Sequence, residues 1–423
     1  MIFNNRQRTA IVIFLILLSI GAGLYPQGSN LSSADVHPIV KLGRLLSYVL
    51  IPLLILEQWK RFVYVATRNK SLLFLVGMAL FSVFWSDSPD ATIEQGKGLI
   101  RTTLFGIYLA TQYSIREQLQ LFSGTISIAA LLSWFVCLAL PSFGISDETL
   151  GWRGIFYHKN DLGDVMSVGI VLFFLLSQQK SKERWFNWLN ICLCIPLLVL
   201  ANAKTPLIGL ITMIALMPFH KILRQKYTLK VPILIVATIC LGVLAVWLAS
   251  NFEVFITAIG KDPRLNGRTD IWAIVVQMIK QRPWLGYGYN GFWANPDNVA
   301  EVHRQYFSSW IPGHAHNGIL TLLLDVGIVG LILFLINFFN AFRDSVLFAR
   351  FSKTIEGIFP IQVISALAVV NVSGNSILNA YGSSIWLLYT ATVFSLSIYK
   401  DRARKQTYLR HKFNQSTIPT VSS

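Results

Sequence analysis

The sequence predicts an all-α protein, a polytopic transmembrane helical bundle of about twelve spans with one long periplasmic loop, and three observations carry that reading. Hydrophobic residues make up 54% of the 423 residues and charged ones only 13%, whereas a soluble domain carries about 25% charge. Mean hydropathy is +0.55. Apolar runs of about 16 to 23 residues recur along nearly the whole chain, and a helix needs about 20 to cross the hydrocarbon core. Basic residues collect in every second connection, as the positive-inside bias of helical membrane proteins requires. A transmembrane barrel is excluded, because its strands would read as short alternating segments.

The runs lie near residues 9–25, 39–56, 72–86, 98–113, 120–140, 161–178, 187–202, 205–219 and 231–250, then 317–340, 357–373 and 381–398. They divide the chain into helices one to nine (1–250), a long outer loop (251–316), helices ten to twelve (317–398) and a basic tail (399–423). The first run follows Arg6 and Arg8 and has no small-x-small cleavage site before Pro26, so it is expected to stay as an uncleaved helix. An even count puts both termini on one side, and Lys400, Arg402, Arg404, Lys405, Arg410 and Lys412 mark that side as cytoplasmic. The tail beyond Arg410 is polar and expected to be disordered, with part of it near anionic lipid.

The inner connections then carry Lys60, Arg61, Arg68 and Lys70, then Lys180, Lys182 and Arg184, then Lys221, Arg224, Lys226 and Lys230, then Arg343, Arg350 and Lys353. Acids gather outside, in Ser86 to Glu94 and Ser146 to Glu148. The net charge of +16 therefore reflects topology and not nucleic-acid binding, for no basic soluble domain carries it. Cys137, Cys192, Cys194 and Cys240 all sit inside apolar runs and read as small hydrophobes. Within the long loop, Asp270 to Lys280 reads as an amphipathic helix, with Ile271, Ile274, Val275, Met278 and Ile279 at helical spacing, followed by the breakers Pro283, Gly286, Gly288 and Gly291. Its aromatics, Trp272 and Trp284 among them, predict a loop lying at headgroup level.

Several basic residues break the topological rule. Arg153 and Lys159 stand in a dense polar patch with His158 and Asn160, ahead of the sixth span, and Lys204 lies between two spans with almost no loop. Lys261, Arg264, Arg268, Lys280, Arg282 and Arg304 occupy the long loop, whose length alone relaxes the rule. An outward cationic site at membrane depth suits a lipid-linked phosphate or diphosphate, which the fixed donor fork of arginine matches. Arg153 and Arg268 are the leading anion ligands, a salt bridge to an acid such as Asp270 being the alternative. Arg268 opens the amphipathic helix, where the dipole disfavours a cation unless an anion joins it. Lys97 and Arg101, four apart on one helix face, extend the patch or snorkel to headgroups.

Pro312-Gly-His-Ala-His-Asn-Gly-Ile-Leu320 sets His314, His316 and Asn317 where the long loop enters the tenth span. Histidine takes a proton near neutral pH; two histidines two apart lack the further ligands of a zinc site, so no metal is expected. A hydrogen-bonded histidine at a helix start and an ordinary Asn317 N-cap are the bland alternatives. Asp325, on the opposite face and about 13 Å deeper, reads as a structural partner for a basic residue, and Gly327 and Gly330 as close-packing positions.

Three blocks resemble the O-antigen ligase and O-antigen polymerase superfamily, in particular its exopolysaccharide polymerases: Trp152 to Gly163, then Asn266 to Trp272 with Arg282 to Gly288, then His314 to Leu320 with Asp325 to Gly330. The resemblance implies a GT-C-type glycosyltransferase without metal or cofactor in a bacterial inner membrane. Its donor would be an undecaprenyl-diphosphate-linked glycan, its acceptor another glycan, and its candidate partners a flippase and a chain-length regulator. It puts His316 at the catalytic position, with Asn317 and Leu320 completing the motif, and Arg153 and Arg268 at the diphosphate. Lys204-Thr205 matches a basic-plus-hydroxyl element in which arginine is frequent. Direct displacement at the anomeric carbon is the expected reaction, His316 taking the proton of an acceptor hydroxyl. Transfer to lipid A core or to protein, and secondary anion transport, are the competing readings; the one-sided ionisable cluster disfavours the transporter.

Overall fold

The computed structural model describes residues 2–23, 25, 38–146, 151–179, 182–222, 268–305, 313–352, 354–372, 374–379 and 384–416. Among them the regular structure is helical, with one isolated bridge between Ile145 and Trp152. The helices are α1 (Asn5–Ser19), α2 (Pro38–Leu56), α3 (Trp59–Ala66), α4 (Lys70–Phe81), α5 (Pro89–Gln112), α6 (Ile115–Ala139), α7 (Pro141–Gly144), α8 (Lys159–Ser177), α9 (Arg184–Leu200) and α10 (Lys204–Ile222). Beyond the long loop follow α11 (Arg268–Gln281), α12 (Gly291–Ala294), α13 (Pro296–Gln305), α14 (Gly318–Phe351), α15 (Phe359–Val370) and α16 (Ser384–Ser416). A helix coincides with every predicted apolar run except 231–250, which lies outside the described residues.

Among the described residues three helices, α6, α8 and α14, are long and apolar enough to cross a membrane, and several shorter apolar helices accompany them. Local chemistry sets the starts. Asn4 and Gln7 form a capping box on α1, Ser114 and Glu117 one on α6, and His158 with Asp161 caps α8, each satisfying amides that have no partner inside the helix. α5 begins at Pro89, nine residues before the predicted run at 98, because its polar first turns also take helical geometry. The tail expected to be disordered beyond Arg410 is instead helical through Ser416, with Lys412 and Gln415 the good helix formers in it.

Hydrogen bonds sort the bundle into two ends. At one, Asn337 Nδ2 donates to Asn69 Oδ1 (2.8 Å) and Ser71 Oγ (2.9 Å), the Tyr389 hydroxyl donates to Asn337 Oδ1 (2.6 Å), and Asn69 Nδ2 reaches Ser397 Oγ (3.2 Å). This buried polar staple fastens α4, α14 and α16. Lys400 pairs with Asp344 (3.0 Å), Arg116 with Glu356 (3.7 Å) and Arg8 with Glu57 (2.8 Å) at connections near the same end. At the opposite end the amide of Asp87 bonds to the Tyr287 carbonyl (3.0 Å), that of Trp152 to Leu200 (3.0 Å) and that of Gly318 to Asn371 (2.9 Å).

α14 is not one continuous helix. Gly327 breaks it with φ 64 and ψ −165, a region essentially reserved for glycine. The break leaves backbone groups unpaired, and the segment after α11 takes them up: the Ile328 amide donates to the Pro283 carbonyl (2.8 Å), Val329 to Trp284 (3.2 Å), and Tyr287 donates back to Leu324 (2.7 Å). A Cβ on Gly286 would meet the Leu324 carbonyl oxygen at 2.4 Å, so this contact admits no side chain. The glycine-rich string is therefore a docking strap for a broken helix. Gly327 is a close-packing position, as expected, whereas a Cβ on Gly330 would meet Val326 of its own helix at 2.2 Å and the neighbouring Met78 sulfur only at 3.8 Å.

Candidate functional site

The long-loop helix α11 buries Ile271, Ile274, Val275 and Met278 against Tyr287, Phe292, Ala315 and Leu324, the apolar stripe expected from its sequence. Trp272 Nε1 donates to the Ala315 carbonyl (2.8 Å). That bond ties the helix opened by Arg268 to the residue preceding His316. The Arg268 backbone lies in the first turn of α11, one turn from Trp272; its side chain, and all of Lys261 and Arg264, fall outside the described residues.

His316 has φ 49, left-handed for a non-glycine residue. Its amide donates to His314 Nδ1 (3.1 Å), and the two rings meet edge to face with centroids 4.1 Å apart. The acceptor role of Nδ1 assigns the proton of a neutral His314 to Nε2. Asn317 caps α14, its Oδ1 accepting from the amides of Ile319 and Leu320 (both 3.0 Å), while its Nδ2 reaches the Val372 carbonyl (3.3 Å). The N-cap reading of Asn317 holds, and the cap fixes where His316 leaves the helix. Among the described residues the other non-glycine positions with positive φ are Asn202, Asn290 and Leu378. All four sit at the same end, since Asn202 precedes Lys204 and the Tyr289 hydroxyl donates to the Leu378 carbonyl (2.5 Å). Such strain collects where function fixes the backbone.

The second cluster surrounds residues 151–163. Arg153 is 6% exposed; its Nε donates to the Phe143 carbonyl (2.9 Å), one terminal nitrogen to Tyr157 (3.4 Å) and the other to Tyr25 (2.8 Å). The guanidinium thus clamps three backbone segments with its planar fork. His158 and Asn160 serve the α8 cap, the Asn160 amide donating to His158 Nδ1 (3.1 Å). The Lys159 stem lies where a Cβ on Gly151 would meet it at 2.8 Å, and the same Cβ would meet the Ala201 carbonyl at 2.6 Å. Lys159 and the α9–α10 corner, with exposed Lys204 just beyond, are therefore neighbours. α10 packs on α15 through Gln362 Nε2 to the Met213 carbonyl (2.7 Å), and α15 leads to Asn371, which receives the Gly318 amide. α10 and α15 thus pack on each other between the helix ends that carry the two clusters.

Lys97 and Arg101 diverge. Lys97 is exposed and pairs with Glu94 (3.3 Å), whereas Arg101 is buried and lies 5.7 Å from the Tyr48 ring centroid. Arg101 does not snorkel. Asp325 is buried, and the partner found for it is an amide, Asn290 N to Oδ1 at 3.1 Å, not the expected basic residue. It holds the strap against α14 as a hydrogen-bond acceptor. No cluster of metal-ligating side chains occurs among the described residues.

Sequence reasoning missed Asp87. Its carboxylate accepts from Arg282 and from Asn298 Nδ2 (2.9 Å), and its carbonyl from Asn295 Nδ2 (2.9 Å). Arg282 also lies 4.7 Å from the Tyr287 ring. Burial raises the Tyr287 phenol above its ordinary pKa, opposed by the Arg282 charge. It missed Tyr25 and Arg44 as well, whose side chains lie beside each other, the Tyr25 hydroxyl donating to the Gly21 carbonyl (3.2 Å). An apolar cavity lined by Val168, Met213, Gln362 and Leu388 lies inside the bundle and includes none of the predicted site residues.

The family model described as O-Antigen ligase matches residues 189–335, a segment that contains Lys204, Arg268, His316 and the Gly327 break. The chain is 26% identical over 276 residues to the exopolysaccharide production protein ExoQ of Rhizobium meliloti (strain 1021), an alignment covering 62% of each chain. It is 39% identical over 75 residues, 17% of its length and 18% of the relative's, to a Rickettsia felis protein named "Putative polysaccharide ligase". The chain thus spans less than two thirds of the length of either relative. Residues 189–335 thus match the O-antigen ligase family model, and the chain is similar over part of its length to an exopolysaccharide production protein.

Proposed function

We propose that this chain is a GT-C-type membrane glycosyltransferase that polymerises undecaprenyl-diphosphate-linked glycan repeat units by displacement at the anomeric carbon. One observation carries the reading. The Trp272–Ala315 hydrogen bond draws the helix start at Arg268 beside the strained loop of His316, so an anion held at that start lies next to a proton acceptor. His316 takes the proton of the acceptor hydroxyl as it attacks; the sugar–phosphate bond breaks and the departing diphosphate keeps the electron pair. Arg268, Lys159 and Lys204 stabilise that charge, with Arg153 adding a buried positive charge behind them. Charge stabilisation is the larger contribution, and general-base help is worth about 10²- to 10⁴-fold. Inversion at the anomeric carbon follows from a single displacement.

The same proposal places twelve spans in a bacterial inner membrane, both termini in the cytoplasm and the His316 end in the periplasm, with the alternation of Lys and Arg between connections in support. The name of the Rickettsia relative favours a second reading, ligation of the glycan to another acceptor. The test is His316→Ala, read as glycan chain length together with accumulated lipid-linked repeat unit. The expected result is loss of polymer with build-up of the precursor. Normal polymer made by a correctly inserted variant defeats the enzyme reading.

A further inference from the structure

α2 carries Lys41, Arg44 and Tyr48 at spacings of three and four, one face of the helix. Lys41 is exposed, Arg44 half-buried and Tyr48 38% exposed, in a helix whose Leu42, Leu45 and Val49 are also exposed. An apolar helix surface of this kind faces lipid, and Arg44 lies about 9 Å inside its first residue. Charged groups at such positions are costly and by default functional. Behind the stripe stand two more guanidiniums. Arg101 of α5, buried, lies 5.7 Å from the Tyr48 ring centroid. The Tyr25 side chain lies beside that of Arg44 and its hydroxyl donates to the Gly21 carbonyl at 3.2 Å, while the Tyr25 carbonyl accepts from Arg153 at 2.8 Å. Two tyrosines thus connect cations from α2, from α5 and from the 151–163 segment.

We infer that Lys41 and Arg44, backed by Arg101, form the docking surface for the anionic headgroup of a polyprenyl diphosphate that reaches the protein laterally from the bilayer. The stripe joins a lipid-exposed face to the buried Arg153 clamp, which a soluble anion would have no need of. The inference rests on the proposed lipid-linked donor and adds its path of approach. Diphosphate oxygens accept from the guanidinium fork and the ammonium, so no covalent step is involved.

The full chain is placed in phosphatidylcholine nanodiscs with a photocrosslinking aromatic residue in place of Tyr48, and radiolabelled undecaprenyl diphosphate is the probe. The expected result is a crosslink that Arg44→Gln, alone or with Lys41→Gln, lowers about ten-fold or more, the effect of losing one charge-assisted contact. Arg44→Lys, which keeps charge but loses the fork, lowers it less and guards against a folding defect in the Gln variant. Equal competition by phosphatidylglycerol or by inorganic pyrophosphate overturns the inference, as does a wild-type crosslink in both Arg44 variants. His316→Ala separates the two claims: it retains the crosslink, and normal polymer in that variant would sink the enzyme reading while leaving this surface standing.

Discussion

Gly327→Ala tests the architecture of the site at its most constrained point. With φ 64 and ψ −165, any side chain there incurs a backbone cost of about 1–3 kcal/mol. The new Cβ would stand 2.3 Å from the Trp284 carbonyl carbon and oxygen and 2.6 Å from the Leu285 amide nitrogen. These atoms are backbone and cannot rotate away, so the strap must withdraw. Withdrawal breaks the Ile328, Val329 and Tyr287 hydrogen bonds at 2.8, 3.2 and 2.7 Å, each worth about 1 kcal/mol. The combined loss is about 4–6 kcal/mol, a shift of roughly a thousand-fold or more in the opening equilibrium of the strap. Amide hydrogen exchange at Tyr287 and Ile328 reads it directly, and faster exchange at those amides with unchanged helix content is the expected result. Wild-type protection at both amides would show that the strap does not depend on the break, and would refute the reasoning.

Two further outcomes follow from the same contacts. Asp87→Ala removes the carboxylate shared by Arg282 and Asn298; with Arg282 half exposed the loss is about 1 kcal/mol, seen as faster exchange over residues 295–299 and unchanged at Asn337. Glu57→Gln breaks the Arg8–Glu57 pair, whose side chains are 6% and 4% exposed, and lowers thermal stability by about 3 kcal/mol. Burial alone would raise Glu57, but the amides of Phe3 and Ile2 and the Arg8 charge outweigh it and hold the carboxyl below its ordinary value of 4.5. A depressed carboxyl contributes stability that is complete above its ordinary value and lost as pH falls through the lowered one. Wild type should therefore lose this contribution below pH 4.5, measured as the melting-temperature difference from Glu57→Gln, and a constant difference down to strongly acid pH would contradict it.

Much of this was legible in the sequence because apolar period and length act locally. The α11 stripe from Ile271 to Met278 and the N-cap at Asn317 needed only neighbouring residues to be recognised. What escaped depends on contacts distant in sequence. Asp87 reads as one more outer acid until residues 282–298 are packed on it, nearly two hundred positions away. The Lys41, Arg44 and Tyr48 spacing was visible, but only Arg101 and Tyr25 give it meaning. Asp325 was expected to need a cation because buried carboxylates usually do; a backbone amide of the strap serves instead.

The division of α14 sets a ruler against the bilayer. Thirty-four helical residues would measure about 50 Å, well over a hydrocarbon thickness of about 30 Å. The stretch from Ile328 to Phe351 is about 36 Å long and can bridge that thickness with modest tilt. The shorter piece, from Gly318 to Val326, is left over as a bracket at the His316 end of the helix. Under the proposed function, that bracket would hold the imidazole beyond the oily slab, within reach of water-soluble sugar alcohols, while the isoprenoid anchor of the donor stays in the lipid.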